Sequence, residues 1–383
     1  MFTIHWDQIT PEIFIKNYWQ KRPILIKGGF AEFQDPISAE ELAGLAMEEA
    51  VESRIVTNQD RWHVTHGPFE SFESLGESHS TLLVQAVDHW HPEVSDMLVP
   101  FQLLPNWRVD DVMISYSTPQ GGVGPHIDQY DVFIIQGQGS RRWRVGEVDT
   151  DLEQHCPHPS LQQVQPFEAK IDDVLEPGDI LYIPPFCPHE GYAIEPSLNY
   201  SIGFRAPNQR EMFSAFADHL IDLDMGDARF KDKFDEIQTN PGHFEPKHIE
   251  QIRNMMKQLL DDDALFHQWL GSFLSEAKHE LDLEAAEPKY TLTEIIETIQ
   301  STPLRRLGGV RTFYITEPHC IQWFVNQTCV QLHPDNLAAV QTVTGRQRIS
   351  ASHVEALEAD ESFWNALTQL INQGYWYFED LDE

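Results

Sequence analysis

The chain has 383 residues, of which 41% are hydrophobic, and this length predicts two or three domains with a buried core. Its 26 Lys and Arg against 61 Asp and Glu give a net charge of −35, which argues against direct binding of nucleic acid and favours a basic protein partner, although solubility or a saline habitat would explain the charge as well. No apolar run reaches the ~20 residues of a membrane helix, no secretory signal is expected, and four cysteines predict reduced thiols in a cytoplasmic protein.

The first predicted elements are a short helix and a strand. Thr10 has the character of a helix N-cap, and Pro11 follows it in the first turn. Pro23 ends the helix, and the apolar residues Ile24–Ile26 predict a strand. A polar, glycine-containing stretch over 67–80 predicts a loop.

Between residues 110 and 207 the pattern changes to short apolar runs separated by glycine and proline turns. No helical stretch of about 12 residues lies between these runs, which argues against a doubly wound α/β fold. The spacing instead predicts a β-sandwich or barrel. The predicted strands lie at 112–116, 132–135, 143–145, 180–183 and 200–204.

After residue 207 the apolar spacing becomes helical. Three helices are predicted around 212–220, 249–260 and 265–274, and a linker at 284–288. The last part of the chain alternates helices and strands, which predicts a small α+β module. Its predicted elements are a helix at 292–299, strands at 311–315 and 320–325, and a helix at 352–372.

One short motif within the β-rich block carries the features of a metal site. The glycine-rich turn 121–124 leads into His126 and Asp128, and residues two apart on an extended chain point to the same face. His189 follows on a later strand, after a proline-rich turn. Two histidines and one carboxylate form the ligand set that holds non-haem Fe(II) and leaves positions open for O2 and a reductant.

Arg141 is the second candidate functional residue. It begins a strand in which Arg141, Trp143 and Val145 share one face. An arginine on the inward face of a barrel requires an anion, and a dicarboxylate cosubstrate would satisfy it through a bidentate contact. A salt bridge to one of the many carboxylates of the chain is the alternative.

The motifs together resemble a known family. The segments GGVGPHIDQYDVFIIQG, RRWRVGE, EPGDILYIPP and NYSIGFRAPN are similar to those of the JmjC-type, cupin-fold 2-oxoglutarate oxygenases, in particular the ribosomal oxygenases. This resemblance implies an α+β chain with a double-stranded β-helix (jelly-roll) core over 1–207, whose metal and cosubstrate site lies within 110–207. A helical dimerisation domain over 208–285 and a winged-helix-like domain over 286–383 would follow, and the chain would be a homodimer.

The resemblance also implies roles for individual residues. His126, Asp128 and His189 would bind Fe(II), while Arg141 and Ser115 would hold the cosubstrate 2-oxoglutarate, with O2 as the other reactant. Asn199 and Ser201, on the strand after His189, are predicted to face the cosubstrate as well. No protein general acid or base is expected beyond the metal centre.

The resemblance implies a basic ribosomal protein as the substrate, because bacterial ribosomal oxygenases of this kind hydroxylate an arginine of the large-subunit (50S) protein L-sixteen. Asp111, Asp131 and Glu190 are candidates for contact with its guanidinium by their proximity in sequence. Histidine hydroxylation and lysine demethylation are the alternative reactions. A non-catalytic, metal-binding cupin that recruits a basic partner is the alternative from another class.

Overall fold

The computed structural model of the chain describes residues 2–6, 9–231, 237, 240–355 and 359–379. The N-terminal third contributes three helices and four strands, and the strands join the eight-stranded sheet described below. Its elements are α1 (Pro11–Asn17), β1 (Ile24–Ile26), α2 (Ala39–Leu45), β2 (Ser53–Thr57), β3 (His63–His66), β4 (Ser80–Val84) and α3 (Pro92–Asp96). Thr10 caps α1 as predicted, since its hydroxyl accepts a hydrogen bond from the backbone N–H of Ile13 at 3.3 Å.

The β-rich block contains all five predicted strands and five further ones. Its elements are β5 (Val109–Ser117), β6 (His126–Ile127), β7 (Asp131–Gln136), β8 (Arg141–Val145), β9 (Gln154–His158), β10 (Leu161–Val164), β11 (Ile171–Leu175), β12 (Ile180–Ile183), β13 (Pro188–Ala193) and β14 (Ser197–Phe204). An eight-stranded sheet has the order β1-β12-β7-β14-β5-β4-β2-β3, and a four-stranded sheet has the order β11-β8-β13-β6. The predicted double-stranded β-helix is thus confirmed.

The eight-stranded sheet is apolar on both faces. Phe133 and Ile135 of β7 join the large core outside the barrel, whereas Val132 and Ile134 belong to a separate cluster with Trp143 and other residues of the smaller sheet. The first helix covers the outer face, where the buried ring of Phe14 meets Tyr182 edge-on at 5.0 Å between centroids. The barrel interior is therefore separated from the main core by one layer of sheet.

The helical segment contains the three predicted helices, α4 (Gln209–Asp222), α5 (Pro246–Leu260) and α6 (Asp263–Ser275). Phe216 and Trp269 pack together in its small core. One side of α6 contacts α4 and α5, and the other contacts the C-terminal module, where Gly271 lies directly against the ring of Phe324. The third helix is thus shared by two parts of the chain.

The C-terminal module is α+β, as predicted. Its elements are α7 (Leu292–Thr298), β15 (Leu304–Arg306), β16 (Thr312–Thr316), β17 (Ile321–Val325), β18 (Thr328–Leu332), α8 (Leu337–Gly345), β19 (Arg348–Ile349), α9 (Ala351–Glu355), α10 (Glu361–Asn372) and β20 (Trp376–Phe378). The prediction of one helix over 352–372 is wrong, because α10 begins anew where Asp360 caps the N–H groups of Ser362 and Phe363. Among all the described residues, no helix has the length and apolar character needed to cross a membrane.

Candidate active site

The three predicted metal-ligating residues meet at one end of the barrel. His126 on β6 lies directly opposite His189 on β13, and Asp128 follows β6 immediately. The Asp128 Oδ2 atom is 3.5 Å from His189 Nε2 and 3.9 Å from His126 Nε2. In the part of the chain that the structure describes, this is the one group of at least three His, Cys, Asp or Glu residues whose ligand atoms all lie within 4.8 Å of one another.

Hydrogen bonds orient both imidazole rings. His126 Nδ1 donates to the carbonyl of Gly124 at 3.0 Å, and His189 Nδ1 donates to the carbonyl of Cys187 at 2.9 Å, which leaves both Nε2 atoms facing Asp128. Burial and the neighbouring His189 lower the pKa of His126 to about 4, so its ring is neutral at neutral pH. Neutral imidazole is the form that binds a metal.

The third residue of the group is a carboxylate at neutral pH. Burial raises the pKa of Asp128, but its contacts with His189, His126 and Tyr130 outweigh burial and hold the pKa below its ordinary value. The site therefore presents two neutral nitrogen donors and one anionic oxygen donor, the set that suits a divalent transition metal.

Arg141 lies inside the barrel and is almost completely buried, as its strand pattern predicted. Its guanidinium donates to Ser115 Oγ at 3.1 Å, to Ser117 Oγ at 2.9 Å and to Ser197 Oγ at 3.2 Å, while its Nε has no partner. Burial lowers its pKa to about 9, so the group remains charged at neutral pH. Among the described residues no carboxylate pairs with it, so the salt-bridge alternative does not hold there.

The position of Arg141 relative to the histidines follows from strand register. His189 pairs with Val145 and Ala193 pairs with Arg141, so Arg141 lies four residues, about 13 Å, along the strand from the metal-ligand candidates. A small molecule between them would meet a charged guanidinium at one end and the His-Asp-His group at the other. An unpaired buried charge is costly, which makes this interior suited to an anion.

The two residues predicted on β14 lie on its inward face with Ser197. The Asn199 side-chain amide donates to the carbonyl of Ile135 at 3.1 Å, and Ser201 lies opposite Met113 of β5. Sequence reasoning missed Ser117 and Ser197, the other two hydroxyls around Arg141. Alternation was the available signal, because Ser117 lies two residues from Ser115 and Ser197 two from Asn199.

Two of the three residues predicted to contact the substrate guanidinium, Asp131 and Glu190, do not face the barrel interior, so those predictions are wrong. Asp131 faces the outer core, where its carboxylate accepts from Arg108 at 2.9 Å and from the Tyr182 hydroxyl at 2.6 Å. Glu190 lies on the outer face of the small sheet and pairs with Arg144. Both carboxylates are committed to contacts outside the barrel and cannot face a bound substrate.

Asp111 differs from these two because its Oδ1 lies beside the inward face of β14. A Cβ on Gly203, two residues from the inward Ser201, would be 3.6 Å from it, although the pairing of β5 with β14 shifts register at this point. The Asp111 Oδ2 accepts from Gln85 Nε2 and from the N–H of Ala86, both at 2.8 Å. Burial, with the charges of Asp88 and Asp110, raises the pKa of Asp111 to about 6. Its carboxylate is thus a buried anion that is predominantly ionised at neutral pH.

Tyr130, which sequence reasoning missed, contacts one of the metal-ligand candidates and lies near enough to Asp111 to feel its charge. Its hydroxyl contacts Asp128. Burial raises the pKa of Tyr130, and the negative charges of Asp128, Asp111 and Asp110 add to the rise. The phenol therefore stays protonated at neutral pH. It lies close enough to the carboxylates of Asp128 and Asp111 to be influenced by their charges.

Two protein-family models match the chain. One describes the JmjC domain and matches residues 96–212, and the other describes a ROXA-like winged helix and matches residues 258–377. The first match covers the strands β5 to β14, and the second covers the C-terminal module together with α6 and the end of α5. They confirm the predicted order of a cupin-type core followed by a winged helix.

Named relatives match over nearly the whole length. The ribosomal protein uL16 3-hydroxylase of Escherichia coli (strain K12) is 48% identical over 380 residues, which are 98% of each chain. A probable ribosomal oxygenase of Haemophilus influenzae is 35% identical over 292 residues, 72% of this chain and 71% of that one.

Solved structures match as closely. The X-ray structure of Escherichia coli ycfD has a TM-score of 0.90 at 47% identity, covering 99% of this chain and 100% of that one. The structure of YcfD, a ribosomal oxygenase, in complex with cobalt and 2-oxoglutarate has a TM-score of 0.87 at 45% identity, with coverage of 99% and 100%. By fold, by site geometry and by identity over its full length, the chain belongs to the JmjC-domain ribosomal oxygenases.

Proposed function

We propose that this protein is an Fe(II)- and 2-oxoglutarate-dependent hydroxylase that adds oxygen to an arginine side chain of ribosomal protein uL16, with succinate and CO2 as coproducts. The observation that carries the proposal is the charged, buried Arg141, which has three serine hydroxyls around it and no carboxylate among the described residues, in the same barrel as the His-Asp-His group. A protein that only held a metal would have no use for this anion site.

The residues present fit both cofactors. His126, Asp128 and His189 would hold the Fe(II), because their donor set is the facial triad of non-haem iron oxygenases. Arg141 would bind the 5-carboxylate of 2-oxoglutarate with its remaining donor capacity, assisted by Ser115. Asn199 and Ser201 lie on the same inward face and would line the cosubstrate between these two ends. Once bound, iron and 2-oxoglutarate supply the O2-derived oxidant that converts a C–H bond into C–OH.

The protein itself provides position. Two backbone carbonyls fix the imidazole rings, so that the open side of the ligand set has one orientation. Asp111 would bind the substrate guanidinium through its less occupied Oδ1 atom, because Oδ2 already accepts two hydrogen bonds. Tyr130 would lie beside the substrate side chain, between Asp111 and Asp128.

We also propose that the protein acts as a cytoplasmic homodimer. Apolar side chains of the helical segment are exposed in the single chain, with Phe213 61%, Ile221 73% and Met256 67% accessible. An apolar surface of this kind is typical of an interface. The proposed domains keep the predicted limits, with the core over 1–207, the dimerisation segment over 208–285 and the winged-helix domain over 286–383.

Mass spectrometry of uL16 tests the proposal. Purified uL16 is incubated with the protein, Fe(II), ascorbate and 2-oxoglutarate, and the His126→Ala variant serves as the blank. One added oxygen on an arginine, absent from the blank, is the expected result. Oxygen added to a histidine would indicate histidine hydroxylation instead. Loss of a methyl group from a lysine substrate would indicate lysine demethylation. Metal binding without succinate formation would indicate the non-catalytic cupin.

A further inference from the structure

The C-terminal module reaches the barrel strand that carries Asp111. Arg311, which immediately precedes β16, donates from Nη2 to the carbonyl oxygen of Asp110 and to its Oδ1, both at 3.1 Å. Both side chains are largely buried, with 11% of Arg311 and 15% of Asp110 accessible. The contact therefore holds both the backbone and the side chain of the residue next to Asp111.

Further contacts fix the same stretch of β5. Asp88 Oδ1 accepts from the N–H of Val112 at 2.7 Å. Gly308 and Gly309 of the C-terminal module fit tightly against the turn at residues 87–89, since a Cβ on Gly308 would lie 1.9 Å from the carbonyl oxygen of Asp88. The start of β5 is thus enclosed between the turn at residues 87–89 and the C-terminal module.

The segment that follows α6 contributes from the same side. His279 Nε2 is 3.9 Å from Asp111 Oδ2, and His89 Nδ1 donates to the carbonyl of Glu280 at 2.9 Å. Three carboxylates, of Asp88, Asp110 and Asp111, therefore lie close together. Such a cluster repels itself unless a cation is near, and Arg311 supplies that cation.

We propose that Arg311 is a positioning residue for the protein substrate: by holding Asp110, it keeps Asp111 facing the barrel and so makes the winged-helix module part of the substrate site. This inference rests on the proposed function, in which Asp111 binds the arginine side chain. It assigns to the C-terminal module a role in substrate binding and none in cosubstrate binding, because Arg141 and its serines lie at the other end of β5.

A pair of arginine variants tests the inference. Arg305 is the matched control, because it also joins the C-terminal module to the core, through bonds to Asp96 at 2.8 and 3.2 Å, and its side chain is likewise 11% accessible. Arg311→Met is expected to raise KM for uL16 about 10-fold, a coupling of ordinary size for a buried charged contact. Arg305→Met is expected to leave that KM within about twofold. Neither variant should change KM for 2-oxoglutarate.

Two further measurements make the test decisive. The substrate-free turnover of 2-oxoglutarate should be the same in Arg311→Met and in the unmodified protein, which shows that the variant is folded and that its metal centre is intact. Asp110→Asn should raise KM for uL16 to a similar extent, and the double variant should add little to either single change.

Each outcome has one meaning. Equal effects of Arg311→Met and Arg305→Met on KM for uL16, or an unchanged KM in Arg311→Met, would overturn the positioning role. A raised KM for 2-oxoglutarate in Arg311→Met would overturn it as well. If the unmodified protein itself does not hydroxylate uL16 while it still turns over 2-oxoglutarate, the proposed substrate is what fails.

Discussion

His126 and His189 are cross-strand partners, with ring centroids 4.2 Å apart, although 62 residues of sequence lie between them. The antiparallel pairing of β6 with β13 is the direct cause, because opposite residues in such a pair project to the same face. The metal-ligand candidates therefore depend on the register of two short strands.

Loss of one imidazole should weaken metal binding strongly. His189→Ala removes a nitrogen donor, and we expect the Kd for Co2+ to rise at least ~100-fold. Mutation of residues that only hydrogen-bond to the metal ligands already lowers metal affinity 10–100-fold, so loss of a ligand should cost at least as much. Isothermal titration calorimetry measures this. His155→Ala, on the exposed strand β9, is the control and should bind Co2+ as the unmodified protein does. Unchanged affinity in His189→Ala would exclude this residue as a ligand.

Loss of the buried guanidinium should affect the cosubstrate. Arg141→Met removes the charge that contacts the inner serines, and we expect KM for 2-oxoglutarate to rise about 100-fold, from the loss of a bidentate charged contact. The neighbouring Arg142 is exposed and pairs with Asp172 at 2.8 Å, so Arg142→Met is a control one residue away. Similar kinetics for the two variants would contradict the cosubstrate site.

Stability should fall as the pH rises through the range where Asp88 ionises. Burial raises the pKa of Asp88 to about 6. A carboxyl with a raised folded pKa favours folding in its protonated form, so its contribution to the free energy of unfolding, roughly 3 kcal/mol, is full below about pH 4 and is lost as pH rises through about 6. His279, Arg311 and Asp111 are the other charged or titratable groups around it.

Asp88→Asn retains an acceptor for the N–H of Val112 and carries no charge. Urea unfolding at pH 4.5 and at 7.5 should therefore show a smaller fall in stability for this variant than for the unmodified protein. The exposed Glu153→Gln should leave the fall as it is. A variant with the full fall would show that Asp88 does not cause it.

A methyl group on Gly271 should destabilise the junction between α6 and β17. A Cβ there would lie 2.1 Å from the ring of Phe324, which is fully buried, and we expect a loss of about 1–3 kcal/mol of unfolding free energy. Gly44→Ala is the control, because it is also helical and nothing lies within 4 Å of its added Cβ. That change should be neutral or stabilising. Thermal or urea unfolding of both variants distinguishes them.

The exposed apolar face of the helical segment should form the dimer interface. Light scattering should give twice the chain mass of 44.2 kDa for the unmodified protein. Met256→Glu or Ile221→Glu should shift the protein toward the monomer, since a charge in an apolar interface is not compensated. Val148→Glu, at an exposed apolar residue of the barrel, should remain dimeric. A monomeric unmodified protein would refute the homodimer.

Local pattern predicted α1, the helices α4 to α7 and eight of the twenty described strands. It also indicated His126, Asp128, His189 and Arg141 as site candidates, whereas Ser115 came from the resemblance to a family. His126 and Asp128 are two residues apart, and Arg141 alternates with its neighbours along one strand. Each pattern lies within a short stretch of sequence, so it can be recognised without knowing the fold. The jelly-roll came from the density of short strands and from the resemblance to a family. These features need no knowledge of which strands pair.

The substrate side of the site could not be read in the same way. Asp111 and Asp131 look equivalent in sequence, yet Asp111 faces the interior and Asp131 faces Arg108 in the outer core. Every residue of β7 is buried, so its pattern does not indicate which face is inward. The proposed role of Arg311 depends on a contact with Asp110, 201 residues away in sequence, which local periodicity does not contain.

The shared helix α6 has a consequence for how the protein can be divided. Among the described residues, its Gly271 face packs against Phe324 of the C-terminal module, and its Trp269 face packs against residues of α4 and α5. A shortened chain that stopped at residue 285 would keep α6 and lose the strands that cover it, and the newly bared aromatic and aliphatic surface would favour aggregation. The catalytic half and the winged helix should therefore melt together, as one cooperative unit.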